Sequence, residues 1–592
     1  MGRQPLFMHL FHKIVLTLVY ALALLASSRT RATDISDYEI PPPSVSTIES
    51  SNWVAAVKAA LPARYLTNGP LDYQTTTNLL CQESAQGNTE AQALWGWTLL
   101  VHSHSPERAG AGLQLMRNAA EKGYVQAMLN LGALYARGQY ARKNYNESFH
   151  WYQMAADEGN AEGQLQLGGC YQYGLGVTPD FKSAVLNYRL SAGQTNYVAM
   201  KSLGYMLANG YGVNQDLEAA ELWLTRAADE GGNRRAMYNL GVLSRQNVTD
   251  TNAMTSAFQW FKKSAELGDD LGCFQLACCY LGGLGVETNV YSYRYWLFEA
   301  AILGSTEAQY FMGQSYRTGN GLPMDMENSL LWYRKAAAKN DPKALYDLAL
   351  HYLADKTNQI STVLANAYMF RAAQLGHREA QFQTALRLFK NADSTESFET
   401  AQTWLNTAGE NGWAKAEFAL YQLYYSGVAP ATNCPAYPKD KTEAIKWLRR
   451  AAEHGRPQAQ SILAVMLIRG TEVEQDKVEA EKLLRDSAEH GYSQAQNDLG
   501  FAILNGDINS TDSAEAAMWC QLAVWHATDP NMLQRAKFNL STALSALPED
   551  QQLEAERRAK DFQSLSPAPV DPLIKDWQKN PAYQQEDGLF GH

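Results

Sequence analysis

Three histidines, His454, His490 and His526, stand 36 residues apart. A column of that kind is where a metal would be sought first. Side chains that share a slot on neighbouring packed helices lie about 10 Å apart, whereas zinc needs its ligands at about 2.0–2.1 Å, so one ion cannot bridge them. They read instead as basic residues near helix C-termini, where positive charge is favoured. The seven cysteines, Cys81, Cys170, Cys273, Cys278, Cys279, Cys434 and Cys520, show neither a zinc pattern nor a repeated pair and read as small buried helix residues. Gly-x-Gly occurs at 174, 210, 283 and 319. A nucleotide loop would need a preceding strand and a third glycine, and both are absent. There is no Gly-x-Ser-x-Gly, His-Glu-x-x-His or phosphate loop. The chain is therefore not expected to be an enzyme, and no catalytic residue, metal or cofactor is expected.

The period of 36 belongs to the whole chain. Two small residues, two others, a glycine and then an alanine four later recur, as in Ala119-Ala120-Glu121-Lys122-Gly123 with Ala127. The glycine slot holds Gly87, Gly123, Gly159, Thr195, Gly231, Gly268, Gly304, Asn340, Gly376, Gly412, Gly455 and Gly491. Nine of the eleven intervals are 36 residues; one is 37, beside Gly231-Gly232, and one is 43, where Ala429 to Pro438 hold an insertion.

Each unit reads as two helices. The first carries apolar residues at Ala127, Leu131 and Tyr135 and a glycine beside Leu131, at Gly132, which lets a neighbouring helix approach closely; Gly168, Gly204, Gly241, Gly313 and Gly500 share that slot. The helix should stop at Gly138, Gly174, Gly210, Gly283, Gly319, Gly427, Gly470 and Gly506, and at His102, Asn247, Asp355 and Asn391 in the other repeats. All are residues that tolerate the left-handed conformation of a helix end. The second helix should open on the N-caps Asn144, Asp180, Asp216, Asn289, Asp325, Ser361, Ser397, Asp440, Asp476 and Asp512. Its core anchor should be Trp151, Tyr188, Trp223, Trp260, Trp296, Trp332, Tyr368, Trp404, Trp447 or Trp519, with Tyr188 one place late. No stretch reads as a strand.

Leu131-Gly132, Tyr135 and Gly138, followed by Trp151-Tyr152-Gln153-Met154-Ala155-Ala156-Asp157-Glu158-Gly159, resemble the Sel-one-like repeat, a cousin of the tetratricopeptide repeat. Gly174-Leu175-Gly176-Val177 and Gly210-Tyr211-Gly212-Val213 match its inter-helix loop. The resemblance covers about residues 80 to 565. Repeats eight and nine depart most, for they lack the glycine-rich loop. What it implies is an all-α, right-handed superhelical solenoid of about twelve helix-turn-helix repeats, whose business is binding other proteins.

The 592 residues are 46% hydrophobic and 19% charged with net charge −11. Length alone would suggest about four domains, but internal repetition overrides that prior. The absence of a basic cluster removes the electrostatic case for nucleic acid. Lys13 precedes an apolar run, Ile14 to Ala26, short of a membrane span and followed by small residues, which reads as a cleaved secretion signal. The expected organisation is a signal at 1–32, a linker and capping helices at 33–86, twelve repeats at 87–527, a closing hairpin at 528–563 and an extended tail at 564–592. The mature protein is expected to be periplasmic or secreted and, after cleavage, not membrane-spanning.

Six aromatics also repeat in register, Tyr238, Phe274, Tyr310, Tyr346, Phe382 and Phe418; they read as packing before they read as a ligand ladder. Partner contact is expected from less regular first-helix positions: Tyr173, Tyr205, Arg245, Gln314, Arg317, Gln422 and Tyr425. By analogy with tetratricopeptide repeats these face the concave side. Arg245, Arg317 and Tyr425 are expected to be the strongest anchors, in slots that packing does not fix. The leading expectation is an exported adaptor for envelope proteins. A binder of cell-wall glycan or exopolysaccharide is the first alternative, and a hydrolase acting on cell-wall precursors the second.

Overall fold

The computed structural model describes residues 73–565 apart from 103–104, 246–250, 320–321, 355–358, 392–394 and 431–433. The expected signal, linker and tail, and the helix stops at Asn247 and Asp355, lie outside the described residues. What is described is all α-helix with short turns. After a leading helix, Tyr73–Ala85, come twelve helix hairpins, from Thr89–His102 with Pro106–Glu121 to Ser493–Asn505 with Ser513–His526. Two closing helices follow, Pro530–Ser545 and Glu549–Leu565. The chain divides into two compact units, Met1–Leu303 and Gly304–His592, and six of the hairpins fall in each.

The turn between repeats explains the Ala-Ala-x-x-Gly phrase. At the end of Pro106–Glu121, Gly123 donates its N–H to the Ala120 carbonyl at 2.9 Å, and Tyr124 donates to Ala119 at 3.0 Å. These are the paired bonds of a Schellman helix end, which needs a left-handed residue. Gly123 has φ 90°, and Thr195 and Asn340 hold the same slot at 62° and 64°. Gly231 does not. The left-handed residue there is Gly232, at φ 58°, so the extra residue falls before the turn and not after it.

Eight first helices stop at a left-handed glycine, from Gly138 to Gly506. Asn391 departs from expectation: it ends Arg378–Lys390 with φ −109°, outside the left-handed region. Eight of the ten expected N-caps accept first-turn N–H bonds, as Asp180 does from Lys182 and Ser183 at 3.0 and 3.3 Å. Ser361 and Ser397 do not cap, because their helices Gln359–Gln374 and Thr395–Glu410 begin earlier and take them into the first turn.

The core anchor is one residue later than the tryptophan slot. Trp151, Trp332, Trp447 and Trp519 are buried, but Trp223, Trp260, Trp296, Tyr368 and Trp404 are only half-buried. The following slot holds Tyr152, Tyr188, Leu224, Phe261, Leu297, Tyr333, Met369, Leu405, Leu448, Leu484 and Cys520, none more than 2% exposed. Tyr188 is thus not late; it stands in the true core column. This column meets the first-helix glycine of its own hairpin. A Cβ on Gly132 would sit 2.5 Å from Tyr152 Cε1, one on Gly241 2.5 Å from Phe261 Cε1, and one on Gly313 2.5 Å from Tyr333 Cδ1. Where the slot is alanine, at 277, 349, 385 and 464, the partner twenty residues on is Leu297, Met369, Leu405 or Leu484. An aromatic ring occurs only opposite glycine.

Candidate partner-binding surface

The seven expected contact residues fall into three slots of the first helix: one, four and five residues after the position of Gly132. Tyr205, Gln314 and Gln422 occupy the first. Tyr205 is 41% exposed and its ring lies 6.0 Å from Tyr211, which stacks on Phe181 at 5.4 Å. Gln314 and Gln422 are half-buried, and Gln314 donates to the Tyr310 hydroxyl at 2.8 Å. Tyr173, in the last slot, is half-buried and accepts from Gln172 Nε2 at 2.8 Å.

Arg245, Arg317 and Tyr425 share the middle slot, and there packing does explain much of the choice. That slot lies over the core column. Gln172 accepts from the Tyr188 hydroxyl at 2.7 Å. Arg317 Nε donates to the Tyr333 hydroxyl at 3.3 Å. The Arg245 guanidinium stands 5.9 Å from the Phe261 ring centre and donates to Gln275 of the next repeat at 2.6 Å. Tyr425 packs 5.4 Å from Tyr421 and reaches Glu472 at 3.4 Å. The two arginines are therefore struts within and between repeats as well as surface groups.

Arg317 belongs to a polar knot. Asp347 Oδ2 is shut from solvent, and burial pushes its carboxyl up to about 6 against the pull of Arg317 and the hydroxyls of Tyr333 and Tyr310. In the next repeat His377 stacks on Tyr346 at 4.5 Å, and its Nδ1 accepts the Ala380 N–H at 3.2 Å as a helix cap. Burial drives that imidazole down to about 4, helped by Lys343 and Arg378.

The aromatic series proves to be packing. Tyr346 and Phe382 are buried and the other four half-buried. Tyr238 leans on Phe261 at 6.1 Å, Tyr310 on Tyr333 at 5.7 Å and Phe418 on Tyr421 at 5.7 Å. The histidine column is explained by a second column that sequence reasoning missed. A glutamine five residues after the turn glycine donates back to the second small residue of that turn: Gln381 to Ala373 at 3.1 Å, Gln460 to Ala452 at 3.2 Å, Gln496 to Ala488 at 3.0 Å. Its oxygen faces the residue before the next turn glycine, so His526 Nδ1 lies 3.0 Å from Gln496 Oε1. At Glu417 the glutamine is replaced by a fully buried carboxylate, which takes His454 Nδ1 at 2.7 Å and Arg450 Nε at 3.0 Å. His490 turns to its own helix, at Asp486 O. The signal was present in the sequence as Gln92, Gln164, Gln309, Gln381, Gln460 and Gln496 at one register.

The Sel1 repeat pattern matches ten segments: residues 125–160, 161–196, 198–232, 234–269, 271–305, 306–341, 342–377, 435–455, 457–492 and 493–524. These cover more than half of the chain, which belongs to the Sel1 repeat family, a family of protein-interaction scaffolds. Hairpins outside those matches, such as Arg378–Lys390 with Thr395–Glu410, have the same form. The chain is 27% identical over 225 residues to chitin synthase regulator SKT5 of Saccharomyces cerevisiae, across 36% of this chain and 32% of that one. It is 28% identical over 204 residues to an uncharacterized protein of Neisseria meningitidis, across 34% and 41%. It thus spans about a third to two fifths of the length of these relatives. A solved SLR-fold protective antigen of uropathogenic Escherichia coli is 26% identical, with 85% of this chain and 97% of that one covered and a TM-score of 0.47. Among the described residues no helix is long and apolar enough to cross a membrane, and no group of three or more acidic, histidine or cysteine side chains could hold a metal.

Proposed function

We propose that this protein is an exported adaptor that holds other proteins on its first-helix face. The observation that carries the reading is the split between slots. Core, turn and cap positions repeat one chemistry down the chain, whereas the slot after the Gly132 position varies freely, as Trp97, Tyr205, Gln314, Gln422 and Phe501. Large aromatics and hydrogen-bonding amides at exposed or half-buried positions suit recognition, where a few such anchors carry most of the affinity. Three relatives bear the names of chitin synthase regulators or regulatory factors, which fits a scaffold that acts on an enzyme partner. Export rests on the Lys13 and Ile14–Ala26 pattern.

The test is capture from envelope extract. Tyr205→Ala, Gln314→Ala and Gln422→Ala together should leave the melting temperature nearly unchanged, since surface changes cost within about 0.5 kcal/mol each. They should weaken retention of the proteins held by wild type tenfold or more. The exported protein should begin between Ser28 and Thr33. Full retention by the triple variant, or turnover of a cell-wall precursor with no retained protein, refutes the adaptor reading; an intact Met1 on a cytoplasmic protein refutes export.

A further inference from the structure

The last first-helix, Ser493–Asn505, and the closing helix Pro530–Ser545 border a cleft of about 560 Å³. We infer that this cleft docks an extended, uncharged segment of a partner polypeptide, through its main chain and two apolar side chains. The inference deepens the adaptor reading and rests on it.

Three observations converge. Phe501 is 46% and Phe538 71% exposed, and both line the cleft. A phenyl ring has no polar tip to justify such exposure, so two at one cleft mark a place where apolar groups are covered by something else. Phe501 also stands in the slot of Tyr205, Gln314 and Gln422.

The polar lining is neutral. Asn531, Gln534 and Asn539 offer carboxamides, and each carboxamide carries the donor and acceptor that match a peptide group. Asn539 Nδ2 is committed to Asn497 at 2.8 Å, which leaves its oxygen directed elsewhere. The lining holds one charge pair. Arg535 lies 3.6 Å from Asp498, and Asp498 also accepts from Gln494 at 2.9 Å and Asn497 at 3.3 Å. The two charges cancel, so the lining offers a charged ligand no net attraction.

The groups also form a line. Asn531, Gln534 and Phe538 share one face of a helix at i, i+3 and i+7, which spans about 10 Å at 1.5 Å per residue. That is the length of about three extended residues. The final helix, Glu549–Leu565, packs on Ser513–His526 instead of pairing with Pro530–Ser545 as second helices do elsewhere, and none of its residues lines the cleft. A sugar could also stack on rings, but two carboxamides and a ring set along one line of about 10 Å, with a second ring across the cleft, fit a strand with alternate apolar side chains better.

The test is fluorescence polarisation on the full chain with labelled heptapeptides. The first is Gly-Leu-Asn-Leu-Asn-Leu-Gly, the second carries N-methyl groups at both asparagines, and the third has glutamate for each leucine. Maltohexaose is the competitor. The first peptide should bind, and binding should fall tenfold or more with N-methylation, with glutamate, and in the variant Phe501→Ser with Phe538→Ser. Both rings are substantially exposed, so the variant should keep its helical signal and melting temperature; Asn531→Leu gives an independent reading of the amide contribution. No binding of the first peptide, unchanged binding by the double variant, indifference to N-methylation, or displacement by maltohexaose each overturns the proposal. If the cleft fails while the slot variants still lose their captured proteins, the adaptor reading stands without this site.

Discussion

Asp347 and His377 are buried groups of opposite chemistry in adjacent repeats, and their titrations oppose each other. Asp347 is raised to about 6, so the fold prefers its protonated form, and the stability tied to that form is lost as pH rises from the ordinary carboxyl value towards 6. His377 is lowered to about 4, so the fold prefers the neutral ring, and that stability is lost as pH falls from about 6.5 towards 4. Over much of that window the two offset. Asp347→Asn removes one side. Its melting temperature should drop more steeply than wild type between pH 6.5 and 4, read by circular dichroism at half-unit steps; parallel curves would show that Asp347 does not titrate there. Neither role was legible from the sequence. Asp347 stands in a slot held elsewhere by asparagine, glutamine, serine, phenylalanine, alanine, leucine or isoleucine and, at 498, by a second aspartate, and the burial beneath Arg317, Tyr310 and Tyr333 gives it its character.

At the scale of the helix, the glycine column and its partner ring act as one unit. Gly132→Ala places a Cβ 2.5 Å from Tyr152 Cε1, an overlap that forces one helix outward. Overpacking of this kind costs about 1–3 kcal/mol. Gly132→Ala with Tyr152→Leu recreates the Ala277 and Leu297 pairing found elsewhere in the chain and should recover part of the loss. Urea denaturation of the two single variants and the double variant measures the coupling, and strict additivity would refute it. The period, the turns and most caps were readable because each is local: a Schellman glycine and an N-cap aspartate do their work within five residues. The core column was displaced by one because tryptophan, the largest apolar residue, catches the eye, whereas burial goes to the residue facing the glycine. Ser361 and Ser397 misled because a cap and a first-turn serine look alike until the helix start is known.

Within each compact unit, hairpins bury their apolar faces against their sequence neighbours, so stability should propagate by nearest neighbours. Tyr333→Ala empties a fully buried ring site at a cost of about 3–5 kcal/mol. Amide exchange should rise in Thr306–Thr318, Met326–Ala338 and the adjoining Pro342–Ala354, while Ser493–Asn505 and Ser513–His526 keep their protection. Equal loosening of both regions would mean that the six hairpins of this unit unfold as one. The architecture was legible because it is the same argument made twelve times. The proposed binding surface was legible only as slots: the repeat shows which positions are left open by core, turn and cap, but Arg245 and Arg317 are tied into neighbouring repeats and the core column, and Phe538 lies in a closing helix beyond the matched repeats, where register gives no guide.

The pairing of glycine with ring and alanine with aliphatic side chain also bears on how such a chain can be rearranged. The two partners lie twenty residues apart within one hairpin, and a short tandem array is a ready substrate for unequal crossing-over. An exchange whose joint falls in the turn between hairpins carries both partners together and yields a longer or shorter protein with that pairing intact. A joint inside a hairpin can set an alanine against a tyrosine and leave a clash. Gain and loss of copies should therefore be tolerated in whole steps of about 36 residues with ends at the glycine turns, and chimaeras cut between residues 132 and 152 should fold less well than those cut at 123 or 159.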